Sequence, residues 1–587
     1  MRIAILAPRP RDLGLAGRIR AILDGDTDIV AGSLRQSLPS AFRSGTGVVV
    51  IGAAGMVVRL LGPELSHKDR DPPVVAVAPD GSCAVPLVGG HRGANRLARR
   101  IAAGLGAFAA ITTASDTLLG LALDEPPPGW RLRPPPDFAA FAGALLDGAP
   151  VRLVDETGAG DWLRAAGLRF ADDARHEILV TVRDRAPTPE CLVCHPPQLA
   201  LGVGCSRGAD PEALSVLARS VLAEAGLAPE AVACVVSVDL KADEPAIHAL
   251  AEELGVPARF FPRERLAEER SRIAHASEAV ERAIGIPSVA EAAALAAAGG
   301  DARLVVAKRK GRGATVAVAE ATRPIDPAAV GRPRGRLAIV GLGPGDPAFL
   351  TRAAEAALAR ATDLVGYRLY LELAKPLARG KRLHPFALGE EEERCRRALE
   401  LAAEGREVAL VCSGDPGIYA MASPLFELLA SQAEHQPAWQ RIALEVVPGI
   451  SAMQLAAARS GAILGHDFCA ISLSDLLTPA ATIERRIEAA AEAGFVIALY
   501  NPVSARRRNL LLRARDILLR HRPASTPVVV GRALGRVGEE VRIITLADLT
   551  PSGLDMLTTV VVGAPSSRTL TLAGKPWAFT PRGYRLP

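Results

Sequence analysis

Leu337-Ala338-Ile339-Val340-Gly341-Leu342-Gly343-Pro344-Gly345-Asp346-Pro347 is an apolar run that breaks into a glycine-rich loop. A short strand, a loop whose glycines can take positive φ, and a helix-forming segment from near Leu350 describe a strand-loop-helix unit of the kind that lines ligand clefts. Taken alone, Gly341-x-Gly343-x-Gly345 is ambiguous, because glycine-rich β-α turns serve dinucleotides, phosphates, sulfonium cofactors and plain tight packing alike. Four later segments keep it company: Val411-Cys412-Ser413-Gly414-Asp415-Pro416-Gly417-Ile418-Tyr419, Val446-Val447-Pro448-Gly449-Ile450-Ser451-Ala452, Ala498-Leu499-Tyr500-Asn501-Pro502 and Thr558-Thr559-Val560-Val561-Val562-Gly563. The first of these is again an apolar strand running into a Gly/Asp/Pro turn.

The chain around these segments has 587 residues, too many for one core at the usual ~100–200 residues per domain. Hydrophobic residues make up 49%, much of it alanine, and aromatic residues only 4%, an Ala/Arg-rich composition that does not suggest a membrane protein. The longest weakly polar runs, residues 47–58 and 101–114, fall short of the ~20 residues a spanning helix needs. The N-terminal apolar stretch meets Pro8-Arg9-Pro10-Arg11 too soon for a signal peptide, so a cytoplasmic protein is expected. A net charge of +5 over this length argues against nucleic acid as the main partner. The basic groups at Arg92, Arg96, Arg99 and Arg100, at Lys308-Arg309-Lys310-x-Arg312 and at Arg506-Arg507-Arg508 read first as solvated surface. Cys191-x-x-Cys194-His195 matches a c-type haem attachment pattern, but with no export signal and no second close Cys pair it reads as coincidence in an Ala/Pro-rich linker, and no metal is expected.

Taken in order, residues 1–125 alternate strands (2–6, 47–51, 74–78, 109–112) with helices, notably 95–105, and predict a small α/β domain with a mostly parallel sheet. Gly52-Ala53-Ala54-Gly55 follows one strand and opens a helix whose N–H groups suit an anion. Residues 126–196 open on Pro126-Pro127-Pro128 and Pro134-Pro135-Pro136, a Pro-rich boundary before a small middle domain with a strand at 178–182. Residues 197–321 restart the α/β pattern, with a strand at 199–203 and a helix from Pro211 capped by Asp210. Thr322 to Gly335 reads as a polar, Pro-interrupted linker before a last unit, 336–587.

The five segments, in their order and spacing, resemble the tetrapyrrole methyltransferases, and within them the precorrin-3B C17-methyltransferases of cobalamin synthesis. The stretch Gly465-His466-Asp467-Phe468-Cys469-Ala470-Ile471-Ser472-Leu473-Ser474-Asp475-Leu476-Leu477-Thr478-Pro479 and the turn Tyr500-Asn501-Pro502-x-Ser504 carry the closer resemblance; Ala480 stands where an aromatic residue is expected. The resemblance implies a two-lobed α/β fold with S-adenosylmethionine folded in the cleft. Gly343, Pro344, Ser413, Gly414, Asp415, Ile418, Ser451, Ala452, Tyr500, Thr558 and Thr559 would hold the cofactor. Gly345 and Asp346 would face the macrocycle, and Arg532 would meet a substrate carboxylate. Ser472, Asp475 and His466 are candidates for proton movement during ring contraction. Asp415 competes with its own plain reading, an Asx-type cap of the Gly-Asp-Pro turn. The family also implies a polycarboxylate tetrapyrrole partner and a homodimer.

The first 320 residues are similar to cobalt-precorrin-5A hydrolase, which opens a δ-lactone and releases acetaldehyde. The N-terminal likeness runs through Gly89-Gly90-His91-Arg92-Gly93, Ile111-Thr112-Thr113-Ala114-Ser115-Asp116, Arg59, Lys68 and Asp71-Pro72. The C-terminal likeness runs through Gly202-Val203-Gly204-Cys205-Ser206-Arg207-Gly208, Val238-Asp239-Leu240-Lys241, Gly285-Ile286-Pro287-Ser288 and Lys308-x-Lys310-Gly311-x-Gly313, with Ser206 where a second basic residue is expected. It implies His91 as base, Asp116 orienting it, and Lys241 or Lys68 meeting carboxylates; no Ser-His-Asp nucleophile elbow is present. Two rival readings stand beside this fusion: an N-terminal module that binds or hands over corrinoids without catalysis, and a methylase acting at C11 or C20.

Overall fold

The computed structural model describes the chain except for residues 1–2, 24–26, 44, 68–69, 122, 379, 433, 505–508 and 585–587. Several α/β sheets form two compact units, Met1–Arg334 and Gly335–Pro587. Among the described residues no helix is long and apolar enough to cross a membrane.

The first unit begins with a six-stranded sheet in the order Thr27–Ala31, Ile3–Ala7, Gly47–Ile51, Val74–Val77, Cys83–Val88 and Phe108–Ala109. The first four strands are parallel and the fifth returns antiparallel. Period-two alternation sorts the strand residues. Ile5, Val49 and Val75 meet helices Leu13–Leu23 and Ala94–Leu105 on one face. Ala4, Leu6, Val48 and Val50 meet Leu34–Arg43 and Ala54–Leu61 on the other. The sequence did not signal two of these strands: Thr27–Ala31 is a half-buried edge carrying Asp28, and Cys83–Val88 contains Pro86. The strand expected at 109–112 shrinks to Phe108–Ala109.

The Pro-rich middle is more ordered than its composition suggests. Arg131–Arg133, Cys191–His195, His176–Val180 and Val151–Asp155 form a four-stranded sheet in that order. Cys191 to His195, read above as linker, is a strand buried at all five positions, with Leu192 and Cys194 in the core of this sheet.

A five-stranded sheet follows, in the order Ala258–Phe261, Val232–Val238, Leu199–Cys205, Ala314–Glu320 and Arg303–Gly311. Helices Pro211–Glu224 and Pro245–Glu253 cover one face, and Val289–Ala298 the other. That last helix lies so close that a Cβ on Gly202 would sit 1.9 Å from Ala290 O, so the strand needs glycine there. Asp210 caps its helix as expected, accepting the Glu212 N–H at 3.1 Å. Residues of the expected linker bond along this sheet: Ile325 N–H donates to Pro197 O, and Arg259 donates to the carbonyls of Ala328, Val330 and Gly331.

The second unit has two lobes. The first is an all-parallel sheet in the order Arg382–Phe386, Asp363–Tyr367, Glu407–Cys412, Arg336–Gly341 and Ala443–Val447. Helices Glu391–Ala403 and Ala422–Gln432 pack on one face and Arg352–Arg360 on the other. The second lobe is a mixed sheet in the order Phe468–Ser472, Val496–Tyr500, Thr558–Val562, Pro527–Arg532 and Glu540–Thr545. Helices Ala480–Glu492 and Asn509–Leu519 cover its outer face, and Ala452–Ser460 the inner. A ribbon of Gly461–Ala462, Lys575–Phe579 and Arg568–Leu572 completes the unit.

Candidate active site

The five glycine- and hydroxyl-bearing segments converge at the carboxyl ends of the first lobe's parallel strands, where an open α/β sheet offers its crevice. Backbone meets backbone there. Gly343 and Gly414 exchange N–H···O bonds of 3.2 and 2.7 Å, zipping the first loop to the second. The third turn closes on both: a Cβ on Gly449 would lie 2.2 Å from Gly414 O and 2.8 Å from Gly341 O. The pattern that opened the sequence therefore serves close approach of three main chains.

The resulting cleft has a volume of about 480 Å³, within the range of small-molecule sites. Ten of the eleven residues expected around the cofactor line it: Pro344, Ser413, Gly414, Asp415, Ile418, Ser451, Ala452, Tyr500, Thr558 and Thr559. Gly343 stands behind them, its carbonyl taking the Ser413 hydroxyl at 3.3 Å. The chain has only five tyrosines, and four of them, Tyr367, Tyr370, Tyr419 and Tyr500, line this cleft. They form two pairs, Tyr367–Tyr370 at 5.2 Å and 86° and Tyr419–Tyr500 at 5.3 Å and 53°. Such concentration in an aromatic-poor chain marks a surface built for a flat or cationic ligand. Burial raises the phenols of Tyr370, Tyr419 and Tyr500, which stay neutral hydrogen-bonding groups.

Three of the four described non-glycine residues with left-handed backbone, Tyr419 (φ 50°), Asn501 (φ 50°) and Ala533 (φ 47°), also line the cleft. Each conformation costs on the order of 1 kcal/mol or more, and such strain collects where a site dictates side-chain direction.

Asp415 shows both of its readings at once. Oδ1 accepts the Gly417 N–H at 2.8 Å, the expected Asx turn, and Oδ2 accepts the Gly449 N–H at 3.1 Å. A carboxylate offers about four lone-pair positions, so roughly two remain for a ligand. Ser451 opens helix Ala452–Ser460 with a capping box to Gln454, and the Tyr500 hydroxyl accepts the Met453 N–H at 3.3 Å. Cys412, at the cleft wall, has its thiol pushed up to about 12 by burial and is no nucleophile.

Two arginines in the wall were not singled out from the sequence. Arg536 reaches from the second lobe to the first, donating from Nε to Pro344 O and from a terminal nitrogen to Ser413 Oγ, both at 2.9 Å. Arg394, 2% exposed, donates to Ala387 O at 2.9 Å and to the Met421 sulfur at 3.2 Å. The signal for Arg536 was its place in the Gly531-Arg532-Ala533-Leu534-Gly535-Arg536 turn after a strand, where Arg532 drew attention instead.

The remaining expected residues lie elsewhere. Arg532 is turned to Asp555, donating to Oδ2 at 2.8 Å, and does not line the cleft. Asp346 caps a short turn by accepting the Ala348 N–H at 2.8 Å, and Gly345 packs under Arg536. Ser472 Oγ accepts from Asn501 Nδ2 at 3.1 Å, one residue removed from the cleft surface, while Asp475 sits on an exposed loop. His466 Nδ1 accepts the Asp467 N–H at 2.8 Å.

In the first unit the His91 side chain, Lys68 and Arg506-Arg507-Arg508 of the second fall outside the described residues. Asp116 is held by Arg99, by Asn95 Nδ2 at 2.8 Å and by Thr113 Oγ at 2.6 Å. Burial would raise its carboxyl, but these donors outweigh burial and hold it below the usual range. Lys241 belongs to a different sheet, after strand Val232–Val238. His195 is fully buried and its Nδ1 lies 2.8 Å from Thr181 O. Among the described residues no group of three or more His, Cys, Asp or Glu is placed to hold a metal ion.

The donor set suits the methyl donor expected from the sequence. Glycines keep three loops at backbone distance, Asp415 presents carboxylate lone pairs to a cation, and tyrosine rings supply apolar faces.

Known protein families match parts of both units. Residues 336–550 match the model of the Tetrapyrrole (Corrin/Porphyrin) Methylases. Residues 199–319 match Cobalamin synthesis G C-terminus, and 36–116 match Cobalamin synthesis G N-terminal. The chain is 43% identical over 254 residues to the cobalamin biosynthesis protein CobIJ of Mycobacterium tuberculosis (strain ATCC 25618 / H37Rv), an alignment covering 43% of this chain and 48% of that one. It thus spans about half the length of that relative. A Salmonella typhimurium protein (strain LT2) named as a probable cobalt-factor III C(17)-methyltransferase is 43% identical over its whole length, 43% of this chain. The precorrin-3B C(17)-methyltransferase of Sinorhizobium sp is 42% identical over 97% of its length, again 43% of this chain. Through its second unit the chain belongs to the precorrin-3B and cobalt-factor III C17-methyltransferases of the tetrapyrrole methylase family, here preceded by both cobalamin-synthesis-G segments.

Proposed function

We propose that the chain is a bifunctional enzyme of corrin-ring synthesis. Its second unit transfers a methyl group from S-adenosylmethionine to C17 of precorrin-3B or cobalt-factor III, with contraction of the ring. Its first unit opens the δ-lactone of cobalt-precorrin-5A, with release of acetaldehyde. The observation that carries the first activity is the convergence of five separated segments on one tyrosine-lined cleft, in a chain 42–43% identical to such enzymes over nearly their full length.

The bound sulfonium supplies an activated methyl group, so the protein's task is alignment, worth ~7–11 kcal/mol when donor and acceptor are held at contact. Asp415, with its remaining lone pairs, takes the donor's ammonium or ribose hydroxyls. Ser451, Ala452, Thr558 and Thr559 form the floor, and the neutral Tyr419 and Tyr500 rings favour the positive charge that is lost on transfer. Arg536 gives the macrocycle's carboxylates a cationic partner at the wall. Ser472, which accepts from Asn501 of the cleft lining, is the hydroxyl we assign to proton movement during contraction. A homodimer in the cytoplasm, paired through the methylase unit, belongs to the same proposal.

Incubating the full chain with S-adenosylmethionine and either precorrin-3B or cobalt-factor III, with mass and NMR analysis, tests the C17 assignment; methyl at C11 or C20 would overturn it. Acetaldehyde release from cobalt-precorrin-5A separates a hydrolase from a module that only binds or hands over corrinoids.

A further inference from the structure

The carboxyl ends of the parallel strands Leu199–Cys205 and Val232–Val238 gather Cys205, Arg207, Lys241, Asp243 and Glu244, none of which serves methyl transfer. Glu244 is 1% exposed. Its Oε1 caps the turn after the first strand, accepting the N–H groups of Gly208 at 2.8 Å and Ala209 at 3.2 Å. Its Oε2 is buried without a hydrogen-bond partner. Two cations flank that oxygen beyond bonding distance, Arg207 at 3.8 Å and Lys241 Nζ at 4.0 Å. A turn cap needs only one oxygen, and buried polar atoms without partners are rare enough to call for a use. The cover over it is movable: Arg207 is more than half exposed and rests on Asp243 Oδ1 at 2.6 Å and Leu240 O at 3.1 Å. A ligand carboxylate competing with Asp243 would draw the guanidinium aside and open the way to Glu244.

We propose that this cluster is the centre that opens the cyclic ester of a polycarboxylate corrinoid, with Glu244 accepting the proton of the attacking water, Lys241 facing the oxyanion, and Arg207 clamping a neighbouring substrate carboxylate. This rests on the hydrolase reading of the first unit and moves its base from His91 to the other sheet. The water oxygen bonds to the acyl carbon as Glu244 takes one water proton, the acyl carbon–ring oxygen bond then breaks, and Glu244 returns the proton to the departing alkoxide. One acid and one alcohol result; the freed carbinol then leaves as acetaldehyde, its O–H proton lost as C=O forms and its carbon–carbon bond to the macrocycle breaks. The electron pair and a proton pass to the macrocycle carbon, with no oxidant or reductant required. Cys205, beside Lys241, has its thiol pushed up to about 11 by burial, which disfavours a thiol ester route.

The test is acetaldehyde release from cobalt-precorrin-5A by the full chain, with methyl transfer measured on the same preparations. Glu244→Gln keeps an acceptor for the turn and removes the base; release should fall about 100-fold or more while methyl transfer and melting temperature hold. Lys241→Met, which leaves the turn untouched, should cost about 100-fold as a lost oxyanion partner and guards against a folding defect in the first variant. Release by either variant within about threefold of wild type would overturn this assignment while leaving the hydrolase reading intact. A wild-type chain that methylates normally but releases no acetaldehyde would overturn both.

Discussion

Asp415→Asn separates the two roles the structure gives that carboxylate. The wild-type oxygens hold the Gly417 and Gly449 N–H groups at 2.8 and 3.1 Å and keep about two lone-pair positions toward the cleft. Asparagine can serve one N–H, but its amide nitrogen must then oppose the other, and the negative charge is gone. Charge-assisted hydrogen bonds are worth about 1.5–3 kcal/mol, which is roughly 10- to 150-fold in affinity. The turn itself should weaken by about 1–3 kcal/mol, or roughly 2–12 °C in a unit of this size. Titration calorimetry with S-adenosylhomocysteine, well below the variant's melting temperature, reads the first effect free of the second. An affinity within about threefold of wild type, in a variant that melts several degrees lower, would show Asp415 to be a turn cap and nothing more.

Gly449→Ala places a Cβ 2.2 Å from Gly414 O, with backbone on both sides and no room to yield. It should cost about 3 kcal/mol or more and abolish cofactor binding, as scanning calorimetry and titration would show. Ala533→Gly relieves a left-handed φ of 47°, and a thermal melt should show about 0.5–1 kcal/mol of stabilisation after glycine's entropy is counted. Arg536→Met removes the bonds to Pro344 O and Ser413 Oγ and should raise KM for the macrocycle about tenfold or more in steady-state assays. At Asp363 burial would raise the carboxyl, but bonds from Arg382, His384 and Thr362 outweigh it and hold it at about 2, against 3.8 unfolded. A depressed carboxyl stabilises above the unfolded value, so about 2 kcal/mol should be present above pH ~4 and lost between pH ~4 and ~2. Denaturant titrations in that window should find Asp363→Asn less acid-sensitive than wild type.

The cleft was legible because its parts are main-chain devices written in residue type. Gly341, Gly414 and Gly449 mark backbone contact, and Ser451 marks a helix start. Side chains that act through long reach left no such trace. Arg536 differs from Arg532 only in where four residues of turn point it, and Arg394 lies inside a helix whose charged neighbours look like solvated surface. Cys191 to His195 misled for the opposite reason: a short apolar run between prolines carries little period, yet pairing with Arg131–Arg133 and His176–Val180 buries it. Glu244 sat in a visible strand-end cluster, but only the fold shows that one of its oxygens is buried without a hydrogen-bond partner.

The second unit is proposed to align a sulfonium methyl donor with one carbon of a tetrapyrrole in the cleft between its lobes. Single-turnover reaction of the full chain with isotopically labelled S-adenosylmethionine and precorrin-3B or cobalt-factor III, read by NMR of the product, tests it most directly. One labelled methyl group is expected at C17 of a contracted ring, lost together with cofactor binding in Asp415→Asn. An unmethylated product, or label at another carbon, would contradict it.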